Sequence, residues 1–307
     1  MGRAGVLLMA HGTPGSPAEI APFYTRIRRG RPPEPEQLVD LERRYAAIGG
    51  LSPLAERTRS QVDGVRVALE SRRPGRYVVA FGAKHTDPLI EYAAGSLARA
   101  GVDRVVGLVL TPHGSSMGSE EYLARAAAAL EHGPRFIAVP PWFAHPVFVS
   151  LQAARVKATL AAASAGDLDR YPVLFCAHSV PERVREAGDT YPEQLAESAR
   201  LVAEAAGVPR PVVAWQSAGR SPGPWLGPDV RDVVRQLSAA GGTDGVVVCP
   251  IGFVADHLEV LYDLDVELAA VAAACGLSYA RTASLNDDPQ FLGALADVVA
   301  AADARAA

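Results

Sequence analysis

The stretch VVVCPIGFVADHLEVLYDLDVE, from Val246 to Glu267, sets an apolar run directly before Asp256, His257, Glu259, Asp263, Asp265 and Glu267. On an α-helix with 3.6 residues per turn, Glu259, Asp263 and Glu267 fall at i, i+4 and i+8 and form one acidic ridge. Stacked carboxylates repel, at a cost of about 0.2–0.5 kcal/mol per pair. A divalent cation, or a path along which one travels, offsets that cost, because such cations favour oxygen and imidazole ligands. A solvated acidic helix face is the competing reading.

His178 follows the apolar run Val173–Ala177 and points out of a strand end. Alone it could simply bond a neighbouring backbone group. With the ridge it becomes a metal ligand or a base, since neutral imidazole ligates well and titrates near pH 6.5. One His and one Glu leave most coordination positions open, which suits a metal in passage better than a closed structural site. A basic cluster, Arg26, Arg28, Arg29 and Arg31, reads either as a solvated helix end or as a carboxylate-recognition site built from forked guanidinium groups.

The elements that carry these residues are legible from hydrophobic patterning. Strand-length apolar runs fall at Val6–Ala10, Tyr77–Phe81, Val105–Leu110, Phe136–Val139, Val173–Ala177, Val212–Trp215, Val246–Pro250 and Ser278–Arg281. Helix-length amphipathic segments, such as Ser60–Arg72 and Pro192–Ala206, separate them. That alternation argues for an α/β chain with parallel sheets covered on both faces. Ala10-His11-Gly12-Thr13-Pro14 after the first run is echoed by Ala177-His178-Ser179-Val180-Pro181 after the fifth, as expected of a duplicated βαβ half. The chain thus divides into an N-terminal α/β domain over residues 1–150 and a C-terminal one over 151–307, with the helical segment Val147–Ala163 as bridge. Ligands of open parallel sheets bind beyond the carboxyl ends of the strands. His11, Lys84, His85, His113, His178, Trp215, Gln216 and Ser217 all lie there, which places a cleft between the halves.

Composition removes several classes. The 307 residues carry a formal charge of −4, which favours neither nucleic acid nor an anionic membrane. No apolar stretch reaches the length of a membrane span, and Val6–Ala10 is too short for a signal-peptide core. Cys176, Cys249 and Cys275 lack disulfide, zinc or cluster spacing, so a reducing cytoplasm is expected. There is no G-x-G-x-x-G after a strand, no phosphate-binding loop and no nucleophile elbow.

Three motifs resemble the signatures of the ferrochelatases. They are Cys176-Ala-His-Ser-Val-Pro181, Trp215-Gln-Ser217 with Gly223-Pro-Trp-Leu-Gly-Pro228, and Pro250-Ile-Gly-Phe-Val-Ala-Asp-His-Leu-Glu-Val-Leu-Tyr262. Tyr24–Pro32 and Arg44–Pro53 are similar to the coproporphyrin III branch of Gram-positive bacteria, and the resemblance covers nearly the whole chain. It implies insertion of Fe(II) into a porphyrin held between two similar domains, with no organic cofactor. It also implies that His178 and Glu259 bind the metal, with His11 on the opposite face of the ring, and that Asp263 and Glu267 conduct metal or protons. Thr13, Arg28, Arg44, Tyr45, Ser52, Tyr122 and Trp225 match porphyrin-contacting positions. The expected partners are coproporphyrin III and a divalent metal, and the expected state is a monomer with no iron–sulfur cluster.

Three departures from the branch bear on metal and substrate. His11 stands where the branch has Tyr, and imidazole suits Co, Ni and Zn as well as Fe. Gly114 and Gly118 replace bulkier residues, which implies a roomier or more mobile pocket. Ala218 and Arg220 alter the charge after Trp-Gln-Ser. A cobalt or nickel chelatase acting on another tetrapyrrole, and a porphyrin carrier without turnover, are the alternatives.

Overall fold

The computed structural model describes residues 2–164, 166–219 and 222–306. Arg220 therefore lies outside the described residues. The first half runs β1 (Ala4–Ala10), α1 (Ile20–Ile27), α2 (Pro35–Ala47), α3 (Leu54–Arg72), β2 (Tyr77–Ala83), α4 (Ile90–Arg99), β3 (Arg104–Val109), α5 (Ser119–Ala129) and β4 (Arg135–Ala138). After α6 (Pro146–Ala163) come β5 (Val173–His178), α7 (Arg183–Glu186), α8 (Tyr191–Ala206), β6 (Pro211–Gln216), α9 (Val230–Ala240) and β7 (Gly245–Cys249). The chain closes with α10 (Leu258–Leu261), a π-helical segment (Asp263–Leu268), α11 (Ala269–Ala274), β8 (Ser278–Arg281) and α12 (Pro289–Arg305).

All strand pairings named below are parallel. One sheet has the order β2-β1-β3-β4 and the other β6-β5-β7-β8, the same order advanced by four strands. This is the duplication that the two Ala-His echoes announced. The chain reverses direction of sheet growth between β1 and β3, and again between β5 and β7, so each half has a switch point where a crevice opens beyond the strand ends. Central strands are apolar on both faces: every residue of β7 is buried, and only the last residue of β1 and of β5 escapes full burial.

One continuous core joins the halves. Val6, Leu8 and Val106 of the first sheet share it with Phe175 and Val247 of the second, through Phe148 and Val156 of α6 and Phe291 and Leu295 of α12. Full burial of each such side chain contributes about 1.5–3 kcal/mol. By sequence α12 follows the second sheet, yet it packs on α3 of the first half. Gly64 makes the close approach: a Cβ there would stand 2.1 Å from Leu292 Cδ1. Asp303, 1% exposed, then accepts from Arg104 at 2.5 Å, Arg76 at 3.0 Å and the Tyr77 hydroxyl at 3.2 Å. Among the described residues, no helix is long and apolar enough to cross a membrane.

Candidate active site

β5 carries His178 to the end of the second sheet, where it pairs in register with Gln216 of β6. The His178 carbonyl accepts from the Tyr191 hydroxyl at 3.1 Å, and the Nδ1–H donates to the Ser179 carbonyl. That bond turns Nε2 toward Glu259, whose Oε1 lies 3.4 Å away. Glu259 sits in the short helix α10, and its backbone carbonyl accepts from Gln216 Nε2 at 3.0 Å. Its second oxygen faces His257 Nε2 at 3.7 Å, so the carboxylate stands between two imidazoles.

The pair is strongly polarised. Burial disfavours the charged imidazole, but the Glu259 carboxylate and its hydrogen bond outweigh it, and His178 is raised from 6.5 to about 9. Glu259 is likewise opposed by burial, yet the two histidines hold it well below the usual carboxylate range. Among the described residues, no group of three or more His, Cys, Asp or Glu is disposed to hold a metal. His11 does not close a third position with His178 and Glu259.

The expected acidic ridge is not one regular α-helix. After α10 the backbone widens into the π-helical segment, where the Glu267 N–H bonds back to the Tyr262 carbonyl, five residues earlier, at 2.9 Å. Such wide turns are rare and recur at functional sites. Here the turn buries Asp263 to 9% exposure. Asp263 accepts from the Ser217 hydroxyl and from Arg44 Nη1, the latter at 3.3 Å across the cleft. Ser217 reaches it from a left-handed backbone with φ +58°, an uncommon conformation for a residue with a Cβ. Burial and the charge of Glu259 lift Asp263 from 3.8 to about 6, against the pull of Ser217 and Arg44. Glu267 adds to the lift and faces Arg231 at 3.9 Å. Asp265 and Asp256 have other work: Asp265 is clamped by Arg281, and Asp256 accepts from Ser284 and Asn286.

The opposite wall comes from the first half. His11 leaves the end of β1 with its ring 4.7 Å from that of His85 and 5.8 Å from Phe23. Its ring stays exposed at the surface; its pKa is lowered by desolvation, with the hydrogen bond to the Gly12 carbonyl and then the Glu259 charge opposing. His85 falls to about 3, from burial and then from His11, Lys84, Arg125 and Arg26. The Glu259 charge also raises Tyr45, Tyr122 and Tyr191, after burial as the larger cause. All three phenols are buried, at 4%, 6% and 8% exposure.

A model of the ferrochelatase family matches residues 3–303. The chain belongs to the ferrochelatase family. Among similar proteins are the coproporphyrin III ferrochelatases of Bacillus subtilis (strain 168), 44% identical with 97% of each chain covered, and of Geobacillus kaustophilus (strain HTA426), 44% identical with 96% of this chain and 95% of that one. Two solved chelatases share the fold. CbiX, the terminal enzyme for biosynthesis of siroheme in denitrifying bacteria, gives a TM-score of 0.55 at 17% identity, covering 97% of this chain and 98% of the other. The sirohydrochlorin chelatase SirB of Bacillus subtilis subspecies spizizenii, in complex with cobalt, gives 0.57 at 12%, covering 98% and 95%. At those identities the likeness speaks for the fold alone.

For a ferrochelatase-family enzyme, the remaining expected porphyrin contacts are distributed as follows. Tyr45 is 4% exposed, with Thr13 within hydrogen-bonding reach of its phenol. Tyr122 lies under Lys84, whose Nζ is 5.0 Å from the ring centroid. Arg44 is committed to Asp40 at 3.2 Å as well as to Asp263. Arg28 donates to the Arg31 carbonyl at 3.3 Å, and Ser52 Oγ accepts from the Leu54 N–H at 3.2 Å. Half-buried Trp225 lies against Gly219, where a Cβ would come 2.5 Å from the indole.

The Gly114 expectation is corrected. A Cβ there would stand 2.7 Å from Pro141 Cγ, so the glycine lets two segments touch and opens no extra room. Sequence reasoning placed His85 and Ser217 at the strand ends without a specific role, and gave none to His257 or Tyr191. His257 had a signal, two residues before Glu259; Tyr191 had none.

Proposed function

We propose that this chain inserts Fe(II) into coproporphyrin III, forming coprohaem within haem biosynthesis. The observation that carries the reading is the His178–Glu259 pair, 3.4 Å apart at the second sheet's switch point, with the adjacent Asp263 tied to Arg44 of the first half at 3.3 Å. The curated relatives that it matches along nearly its whole length are named for that reaction.

Insertion exchanges one divalent cation for two pyrrole protons, so the site must accept a metal and dispose of protons. In the resting site His178 carries a proton held by Glu259. An arriving metal displaces that proton and takes the Nε2 lone pair together with the Glu259 carboxylate. When the metal passes to the porphyrin, the vacated Nε2 takes one pyrrole proton, which restores the resting ion pair, and the Asp263 carboxylate takes the other. Asp263, at about 6, has the proton affinity best matched to taking protons on and releasing them near neutrality, with Glu267 behind it. Arg28, Arg44 and Ser52 orient the propionates, with Arg44 exchanging an aspartate partner for a propionate. Thr13, Tyr45, Tyr122 and Trp225 press on the macrocycle, and distortion exposes its nitrogens to the metal. His11 meets the iron from the opposite face.

The reading needs no organic cofactor and no iron–sulfur cluster. A monomer acting in the cytoplasm is consistent with the three free cysteines, two of them buried. The test is anaerobic metalation of coproporphyrin III by purified protein with Fe(II), Co(II), Ni(II) and Zn(II) in competition. Iron coproporphyrin is the expected product, and absence of metalation with every metal refutes the proposal.

A further inference from the structure

The loop that follows β3 in the first half grips the start of α8 in the second. His113, in that loop, is 4% exposed, yet neither ring nitrogen has a hydrogen-bond partner. Its ring lies parallel to Phe143 at 5.6 Å and edge-on to Tyr191 at 6.1 Å, and Tyr191 in turn meets Trp215 at 5.5 Å. Burying an imidazole unpaired costs stability, and a phenyl ring would fill the same column without that cost. Core packing alone therefore does not account for the residue.

Hydrogen bonds tie the same two segments together. The Gly114 N–H donates to Gln194 Oε1 at 2.8 Å. Asp189 Oδ2 accepts from the Ser116 N–H at 2.7 Å, the Ser116 hydroxyl at 2.6 Å and the Ser115 hydroxyl at 3.3 Å. Its Oδ1 accepts from the Tyr191 N–H at 2.8 Å. Ring column and carboxylate thus converge on Tyr191, whose hydroxyl holds the His178 carbonyl at 3.1 Å. Beyond the loop the chain enters α5 and reaches Tyr122 on the porphyrin wall.

We infer that Asp189 and His113 are positioning residues, which hold Tyr191 so that its hydroxyl fixes the His178 backbone and aims Nε2 along the metal's path. The inference rests on the reading of His178 as the metal-receiving group. It links the wall that holds the porphyrin to the ligand that delivers the metal. Misplacing a reacting group by about 1 Å costs on the order of a hundredfold in rate, so a loosened clamp should register in turnover.

The experiment is a double-mutant cycle on the full chain, with steady-state Fe(II) insertion into coproporphyrin III. Active sites are counted by quenching of porphyrin fluorescence, so that misfolded protein does not enter the rate. Asp189→Ala and Tyr191→Phe should each lower kcat about tenfold with the porphyrin KM unchanged, and the double variant should fall no more than about twofold below the worse single. His113→Ala should match Asp189→Ala, and His113→Phe, which keeps the ring contact, should recover most of the rate. Losses that multiply in the double variant, or wild-type kcat in every variant, overturn the inference. If Asp189→Ala does not fold, His113→Ala with Tyr191→Phe closes the same cycle. A wild-type protein that metalates nothing overturns the functional reading and the clamp together. An active wild type with multiplying losses overturns the clamp alone.

Discussion

Replacing Asp263 by Asn should stabilise the protein at neutral pH while slowing its chemistry. Asp263 is buried, and its pKa is raised from 3.8 to about 6 by burial and by the Glu259 charge. A carboxyl group whose folded pKa lies above its unfolded value favours folding only while protonated. That contribution is present below pH 3.8 and is lost as pH rises through about 6, so at neutral pH the charged group is a burden on the fold. From 3.8 to about 6, at 1.4 kcal/mol per pH unit, the burden is roughly 3 kcal/mol at pH 8. The same linkage gives roughly 1.6 kcal/mol at pH 5 and about 0.5 kcal/mol at pH 4. The amide retains an oxygen for Arg44 and the volume of the side chain, and removes the charge. Urea unfolding of wild type and Asp263→Asn at pH 4, 5, 6 and 8 should show an advantage for the variant that grows with pH to that plateau. Metalation by the variant should fall by about 10²-fold or more, as expected when a proton relay is removed. A stability difference that does not vary with pH, or a variant less stable at pH 8, refutes the assignment of Asp263 as a strained, titrating carboxylate.

Three further outcomes follow from the geometry. Glu259→Gln leaves His178 its burial and removes the carboxylate, so the imidazole, near 9 in the wild type, should titrate at or below 6.5 by NMR; an unmoved titration contradicts the pairing. The stability that the raised His178 pKa provides is fully present below pH 6.5 and lost as pH rises through about 9, and the variant should lack that pH dependence. His11→Tyr exchanges imidazole for the harder phenol and should move a competitive metal ranking toward iron; an unchanged ranking removes His11 from the metal's surroundings. Asp303→Ala strands Arg76 and Arg104 beneath α12 and should cost about 3–5 kcal/mol in calorimetric stability, with a loss under about 1 kcal/mol counting against the welded halves.

The strands were legible because parallel strands buried on both faces leave unbroken apolar runs, and Ser278–Arg281 was recovered with its limits intact. His11, His85 and His178 were placed on one side for a topological reason, since parallel strands end together, whereas His113, also at a strand end, is buried between Phe143 and Tyr191. The π-helical turn at Asp263 was not legible: carboxylates four residues apart suit an α-helix equally well, and the wider turn depends on what packs around it. Ser217 was placed at the strand ends, but its bond to Asp263 was not legible, because a left-handed backbone at a serine leaves no local mark in the sequence. Gly114 was misjudged because its missing side chain reads as space until Pro141 is seen beside it. Tyr191 joins His178 only through the folded chain, so spacing could not connect them.

The central claim is that metal reaches the porphyrin through His178 and Glu259. Single-turnover insertion of Fe(II) into enzyme already loaded with coproporphyrin III tests it most directly, comparing wild type with His178→Ala and Glu259→Gln. All three proteins should quench porphyrin fluorescence alike, and only the wild type should form iron coproporphyrin at an appreciable rate. Insertion by His178→Ala at the wild-type rate would contradict the account.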